Sequence, residues 1–228
     1  MSNTAIQSTL KAALTDPILR TQLAMTLQML VYEPRFIDEL EIVSWKNGAG
    51  VTRILVVEPE TRGSEKFAWR LSLAYVTASC SFSPFPGIDR TILLWSGQGM
   101  ILRSSSWPEH AVTKPNEPFK FAGEQQITCQ PINGPIADFN LMINRDCAHG
   151  TLTYHDSAVT LAGPRNEVVV ACANGKVRIC FIDRPEVRLF EGQFLRISRL
   201  DGELVVRPEE STSRFVFVTI DLLGPSGI

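Results

Sequence analysis

Thr91-Ile-Leu-Leu-Trp-Ser-Gly-Gln-Gly99 and Glu167-Val-Val-Val-Ala-Cys-Ala-Asn-Gly175 are two runs of one kind, branched apolar residues closed by a glycine-containing turn. They lie 76 positions apart, and Phe139-Asn-Leu-Met-Ile and Phe215-Val-Phe-Val-Thr repeat that offset. One spacing held at both ends of a block points to a duplicated unit. Between the ends, the stretch from Lys120 to Pro131 aligns with Arg196 to Pro208 after one insertion. Each unit reads strand, hairpin, strand, Gly-rich turn, strand, strand. That order suits an antiparallel jelly roll.

Working outward, the chain after Pro34 is built of short β-branched and aromatic runs cut by Gly, Pro and Asn. The pattern predicts strands over 51–57, 67–76, 91–96, 99–103, 126–131 and 139–144 in the first half. In the second it predicts 150–155, 167–173, 176–182, 192–197, 203–207 and 213–222. The fold expected is mainly β, a bicupin of two cupin-like double-stranded β-helix barrels with little helix. Residues 1–28 read as an N-terminal extension, helical from Ile18 to Leu30 or disordered. Residues 29–148 form the first barrel with a ligand pocket, and 149–228 a second, degenerate barrel.

The 228 residues are 44% hydrophobic and 20% charged, with a formal net charge of -2 and scattered basic residues. No stretch approaches the ~20 apolar residues of a membrane span. Neither nucleic acid nor a membrane is therefore an expected partner. The first residues do not resemble a secretory signal, so a cytoplasmic location is expected. Five cysteines without a Cys-x-x-Cys pair read as reduced core residues.

Metal-binding cupin barrels use a His-x-His pair, a carboxylate and a third histidine. The three histidines here, His110, His149 and His155, make no such pair, so no metal and no cofactor is expected. The run Phe67-Ala-Trp-Arg-Leu-Ser-Leu-Ala-Tyr-Val is more telling. Alternation puts Phe67, Trp69, Leu71, Leu73 and Tyr75 on one face and Ala68, Arg70, Ser72 and Ala74 on the other. An arginine among small residues inside a barrel needs a carboxylate, either an internal one such as Asp89 or Asp138 or one on a ligand. Both alternatives stay open at this point. Ser81-Phe-Ser-Pro-Phe-Pro-Gly-Ile-Asp-Arg reads as a stiff loop with a type II turn at Pro86-Gly87. It presents Phe82 and Phe85 at a pocket mouth, with Asp89 and Arg90 at the strand entrance. Trp45-Lys-Asn-Gly-Ala-Gly-Val-Thr-Arg adds Lys46 and Asn47 as donors beside two glycines that permit close backbone approach. The spacing reveals no catalytic triad or nucleophile elbow, and no catalytic residue is assigned.

These segments together resemble the HutD/Ves family of small bacterial bicupins, named for association with histidine-utilisation genes. The carriers are Trp45-Lys-Asn-Gly-Ala-Gly-Val-Thr-Arg, Phe67-Ala-Trp-Arg-Leu-Ser-Leu-Ala, the Phe82–Arg90 loop and Gly134-Pro-Ile-Ala-Asp-Phe-Asn-Leu-Met, which adds Asn140 to the ligand set. The chain departs from the family pattern at Ala49, where a glycine is usual, and at Ile54, where a glutamate follows Thr-Arg. The resemblance implies a regulator or ligand sensor in histidine breakdown rather than a pathway enzyme. It implies Arg70, helped by Asn47, Ser72 and Arg90, clamping a small anionic metabolite such as urocanate or a formylated glutamate. The rival expectations are a metal-independent isomerase or lyase with Lys46 or Asp89 as acid/base, and a non-catalytic protein-interaction module. A homodimer is a further expectation.

Overall fold

The computed structural model describes residues 17–18, 32–59, 67–182 and 184–223. Beyond Ile18, the helix expected up to Leu30 lies outside the described residues. The first half carries β1 (Arg35–Phe36), β2 (Ile42–Ser44), β3 (Gly50–Glu58), β4 (Trp69–Val76), β5 (Cys80–Ser81) and β6 (Ile88–Ser96). It continues with β7 (Met100–Ser104), β8 (Trp107–Val112), β9 (Phe119–Ala122), β10 (Thr128–Pro131) and β11 (Ile136–Asn144). The second half carries β12 (Ala148–His155), β13 (Val159–Leu161), β14 (Arg165–Asn174) and β15 (Lys176–Phe181). Then come β16 (Val187–Phe190), β17 (Gln193–Leu200), β18 (Leu204–Pro208) and β19 (Arg214–Leu222).

Each half contributes a large and a small antiparallel sheet. The first half gives β2-β3-β4-β11-β6-β9 and β5-β10-β7-β8, and the second gives β1-β17-β14-β19-β12 and β13-β18-β15-β16. The early strand β1 crosses to the second half, pairing with β17, and Tyr32 packs in that half's interior. The two large sheets pack face to face. Trp69, Leu71, Leu73, Phe139 and Leu141 meet Leu152, Val169, Val216, Val218 and Ile220 in one shared core. Each such side chain contributes about 1.5–3 kcal/mol when fully buried. Arg196 on β17 ties the halves together through Glu167 at 2.7 Å and Glu58 at 2.9 Å. Two separate apolar clusters fill the barrel interiors. The buried Cys129 and Cys172 sit in them, burial pushing both thiols up.

All twelve expected strands are present. The seven that alternation does not reveal are β1, β2, β5, β8, β9, β13 and β16, every one at the edge of its sheet. Edge strands are short, and they carry proline and polar residues that resist pairing with another chain. The sequence Trp107-Pro-Glu-His-Ala-Val of β8 is an example, exposed along its middle four residues.

The repeat is real but its register differs from the offset of 76. Phe139 faces the core between the sheets, whereas Phe215 faces the second barrel's interior, so the two are not equivalent. Unpaired bulge residues mark the true correspondence. Trp95 is skipped in the β6–β11 ladder and Ala173 in the β14–β19 ladder, an offset of 78. That offset also joins Gly97 (φ +93°) to Gly175 (φ +71°). At Gly97 a methyl group would lie 2.7 Å from the Pro135 carbonyl oxygen, and at Gly175 2.6 Å from Ser213 Oγ. Gly97→Ala is expected to lose roughly 2 kcal/mol or more of stability in urea unfolding, because it adds a backbone clash to left-handed strain. Gly175→Ala, opposed by a movable hydroxyl, should lose less.

Candidate ligand site in the first barrel

The site is written in the ladder of β4, β11 and β6. Directly paired residues on adjacent strands point to the same face. Arg70, Met142 and Arg90 form one row across the three strands, Ser72, Asn140 and Ile92 the next, and Ala74, Asp138 and Leu94 the third. This face looks into the first barrel. The opposite face, with Leu71, Leu73, Phe139 and Leu141, makes the shared core. Arg70 and Arg90 are thus two strand spacings apart, about 10 Å between their Cα atoms.

A cavity of about 500 Å³ opens over these rows. Of the nine residues expected in the site, Lys46, Asn47, Arg70, Ser72, Phe82, Phe85, Arg90 and Asn140 line it. Asp89 does not. Arg90 points inward, so its chain neighbour must point outward. There Asp89 pairs with Arg145 at 2.5 Å and Lys120 at 3.0 Å. Burial works to raise the Asp89 carboxyl, and these two cations outweigh it, leaving it below the usual range.

Phe67 also departs from expectation. The strand begins at Trp69 rather than Phe67, so alternation does not hold there, and the Phe67 ring comes 5.3 Å from the Arg70 guanidinium. Phe85 stands 5.5 Å from the same group. The Arg90 guanidinium is surrounded by Phe82 at 4.9 Å, Phe121 at 5.0 Å and Phe85 at 5.8 Å. Aromatic faces hold cations in place without neutralising them. Phe85 is fixed by a turn in which Ile88 N–H donates to its carbonyl, with Pro86 next and Gly87 at φ +79°, the type II geometry. Its own N–H donates to Gly123 O at 2.8 Å. The hairpin joining β2 to β3 carries Lys46 and Asn47. It is held by Trp45 Nε1 donating to Thr52 Oγ1 at 2.7 Å and by the Asn47 side chain accepting from Ala49 N–H at 3.1 Å. Arg53 turns away to bond the Asp38 and Leu40 carbonyls, while Ile54 faces the cavity.

The polar groups in this cavity are under-satisfied. Arg70 donates to Met142 Sδ at 2.8 Å, and among the described residues neither Arg70 nor Arg90 forms a salt bridge. Arg70 Nε, Arg90 Nε, Ser72 Oγ, Asp138 Oδ2 and Asn140 Oδ1 are buried with no hydrogen-bond partner among the described residues. Each such group costs about 1–3 kcal/mol, more if charged. Burial pushes Asp138 up to about 7, with Arg90 pulling the other way. Burial pulls Arg90 down to about 10, Asp138 opposing and Arg70 adding to it, so Arg90 stays charged at neutral pH. Asp138 is the residue that sequence reasoning missed as a site member. Its signal was available, two positions before Asn140 on one strand and hence on the same face.

The donor set does not suit a metal. The rows offer one carboxylate, two guanidinium groups and no imidazole. His110 on β8 stacks on Phe119 at 4.0 Å, and His149 and His155 lie on β12 of the second half. Among the described residues no His, Cys, Asp and Glu cluster of metal-binding size occurs. No described helix is long and apolar enough to cross a membrane. In the second barrel Val168 matches Arg90 at the offset of 78, and Phe215 and Phe217, the β19 partners of Cys172 and Val170, stand where Asp138 and Asn140 pair with Leu94 and Ile92; all three lie in an apolar interior.

Fold and site together define a two-barrel, cupin-like β-protein with a polar cavity in the first barrel. The chain belongs to the HutD family, whose model, described as HutD, matches residues 38–213. An uncharacterised 21.2 kDa protein in the hutC 3' region of Pseudomonas putida is 32% identical over 157 residues, covering 69% of this chain and 82% of the relative. The solved structure of HutD from Pseudomonas fluorescens, formate condition, superposes with a TM-score of 0.72 at 27% identity, over 85% of this chain and 100% of that one. A cupin 2 conserved barrel domain protein from Leptotrichia buccalis shares the fold at 11% identity, with a TM-score of 0.52 over 84% of this chain and 96% of that one.

Proposed function

We propose that this protein is a small-molecule-binding regulator or sensor in histidine utilisation, acting in the cytoplasm. In this reading the first barrel takes up a small carboxylate metabolite on Arg70 and Arg90. One observation carries it: two guanidinium groups with buried Nε atoms, walled by phenylalanines and with no carboxylate of the described residues in salt-bridge contact, face one cavity. A planar carboxylate satisfies such forks bidentately. The link to histidine utilisation rests on the family and on the relative whose name places it 3' of hutC. Ser72 Oγ and Asn140 lie in the next row for further contacts, and Lys46 and Asn47 lie on the hairpin at the cavity wall.

Calorimetric titration with urocanate and with formylglutamate tests the reading. Arg70→Ala is expected to weaken binding on the order of 100-fold, the loss typical of a buried charged contact. Equal affinity for wild type and variant would sink the arginine role, and no binding by either would sink the sensor reading.

A second reading, a metal-independent isomerase or lyase, draws support from Asp138, whose carboxyl near 7 faces the cavity. Asp89, paired outside the cavity, is unsuited to that role. NMR-detected conversion of a bound carboxylate by wild type, lost in Asp138→Asn, would favour it.

A further inference from the structure

The unsatisfied atoms of the cavity sort by polarity along β11. The two orphan guanidinium donors, Arg70 Nε and Arg90 Nε, belong to the row through Met142, the Ser72 hydroxyl and the acceptor Asn140 Oδ1 to the next, and the acceptor Asp138 Oδ2 to the row beyond. Those rows lie two and four residues along the strand, roughly 7 and 13 Å. We infer that the ligand is two-ended, a carboxylate held by Arg70 and Arg90 whose far end carries an N–H donor seated on Asp138. The inference rests on the carboxylate reading above and names the chemistry of the rest of the molecule.

Three observations support it. Asp138 is 2% exposed and its buried Oδ2 accepts no hydrogen bond from any described residue, so its carboxylate lacks the donors that an interior anion requires. Arg90 senses its charge yet makes no salt bridge to it, leaving a gap between cation and anion. Finally, the fold does not need a carboxylate at this place. The bulge-matched residue of the second barrel is Phe215, fully buried in an apolar interior. An ionisable group kept where its counterpart is a phenylalanine fits a role in recognition. A plain monocarboxylate would leave Asp138 unpaired, whereas a ligand N–H would satisfy it. Sites built to accept a ligand N–H reject isosteres that lack it.

Imidazole-propionate and furan-propionate share length and carboxylate but differ in the ring N–H, and they serve as the probe pair at about pH 8. Wild-type protein is expected to bind the imidazole compound at least about tenfold more tightly. Asp138→Leu should bind both with one affinity, its fold checked by thermal melting. Should that variant not fold, the wild-type pair decides alone. Equal binding of both probes by wild type, with both lost in Arg70→Ala, overturns the two-ended ligand and leaves the carboxylate reading standing. Binding of neither probe, or binding indifferent to Arg70→Ala, overturns the carboxylate reading and this inference with it.

Discussion

Phe139→Ala is expected to cost about 3–5 kcal/mol of folding stability. Phe139 is fully buried at the centre of β11, which pairs with β4 on one side and β6 on the other, and its ring lies 4.8 Å from that of Trp95. Its neighbours come from both halves, so a cavity there removes contacts that neither sheet replaces by itself. Guanidinium unfolding followed by two probes checks the expectation. All four tryptophans, Trp45, Trp69, Trp95 and Trp107, lie in the first half, whereas far-UV dichroism reports strands of both. With a shared core the two transitions should coincide and shift together in the variant. A loss under about 1 kcal/mol, or a shift confined to tryptophan fluorescence, would mean that the large sheets do not share this core.

The second large effect runs the other way. Asp138→Asn should stabilise the ligand-free protein above about pH 7 and do nothing near pH 4. The Asp138 carboxyl is raised from 3.8 to about 7 in the folded state. A carboxyl raised on folding contributes stability that is fully present below its unfolded value and lost as pH climbs to its folded one. The window therefore runs from about pH 4 to about pH 7. At 1.36 kcal/mol per pH unit the difference approaches on the order of 4 kcal/mol at most. Asparagine mimics the protonated acid and escapes the loss. The groups around the carboxyl are the Arg90 guanidinium and the Cys80 and Cys129 thiols. Melting temperatures of wild type and variant at both ends of the window test the sign. A variant that melts lower than wild type at pH 8 would show that the ionised Asp138 is already compensated. Stabilisation by removing a polar group is common at binding sites, where function holds a cost that folding alone would discard.

Alternation in Trp69–Val76 was sufficient to turn Arg70, Ser72 and Ala74 to one face and Leu71 and Leu73 to the other, because a period of two is a local property of the strand. The same rule, applied strictly, separates Arg90 from Asp89 and joins Asp138 to Asn140. The edge strands stayed hidden because their residues are selected against pairing rather than for burial, as in Trp107-Pro-Glu-His.

What the sequence determined by itself, then, is a duplicated β-unit with an arginine-bearing strand and a stiff phenylalanine loop in the first half. Tertiary structure alone decided the register of the duplication, since the bulges at Trp95 and Ala173 depend on ladder pairing and separate Phe139, in the shared core, from Phe215, in a barrel interior. It alone decided that Arg70 and Arg90 have no carboxylate of the described residues in salt-bridge contact, while Asp89 has two cations. Side-chain identity states which groups need partners, but the distance across a closed barrel settles whether they find them.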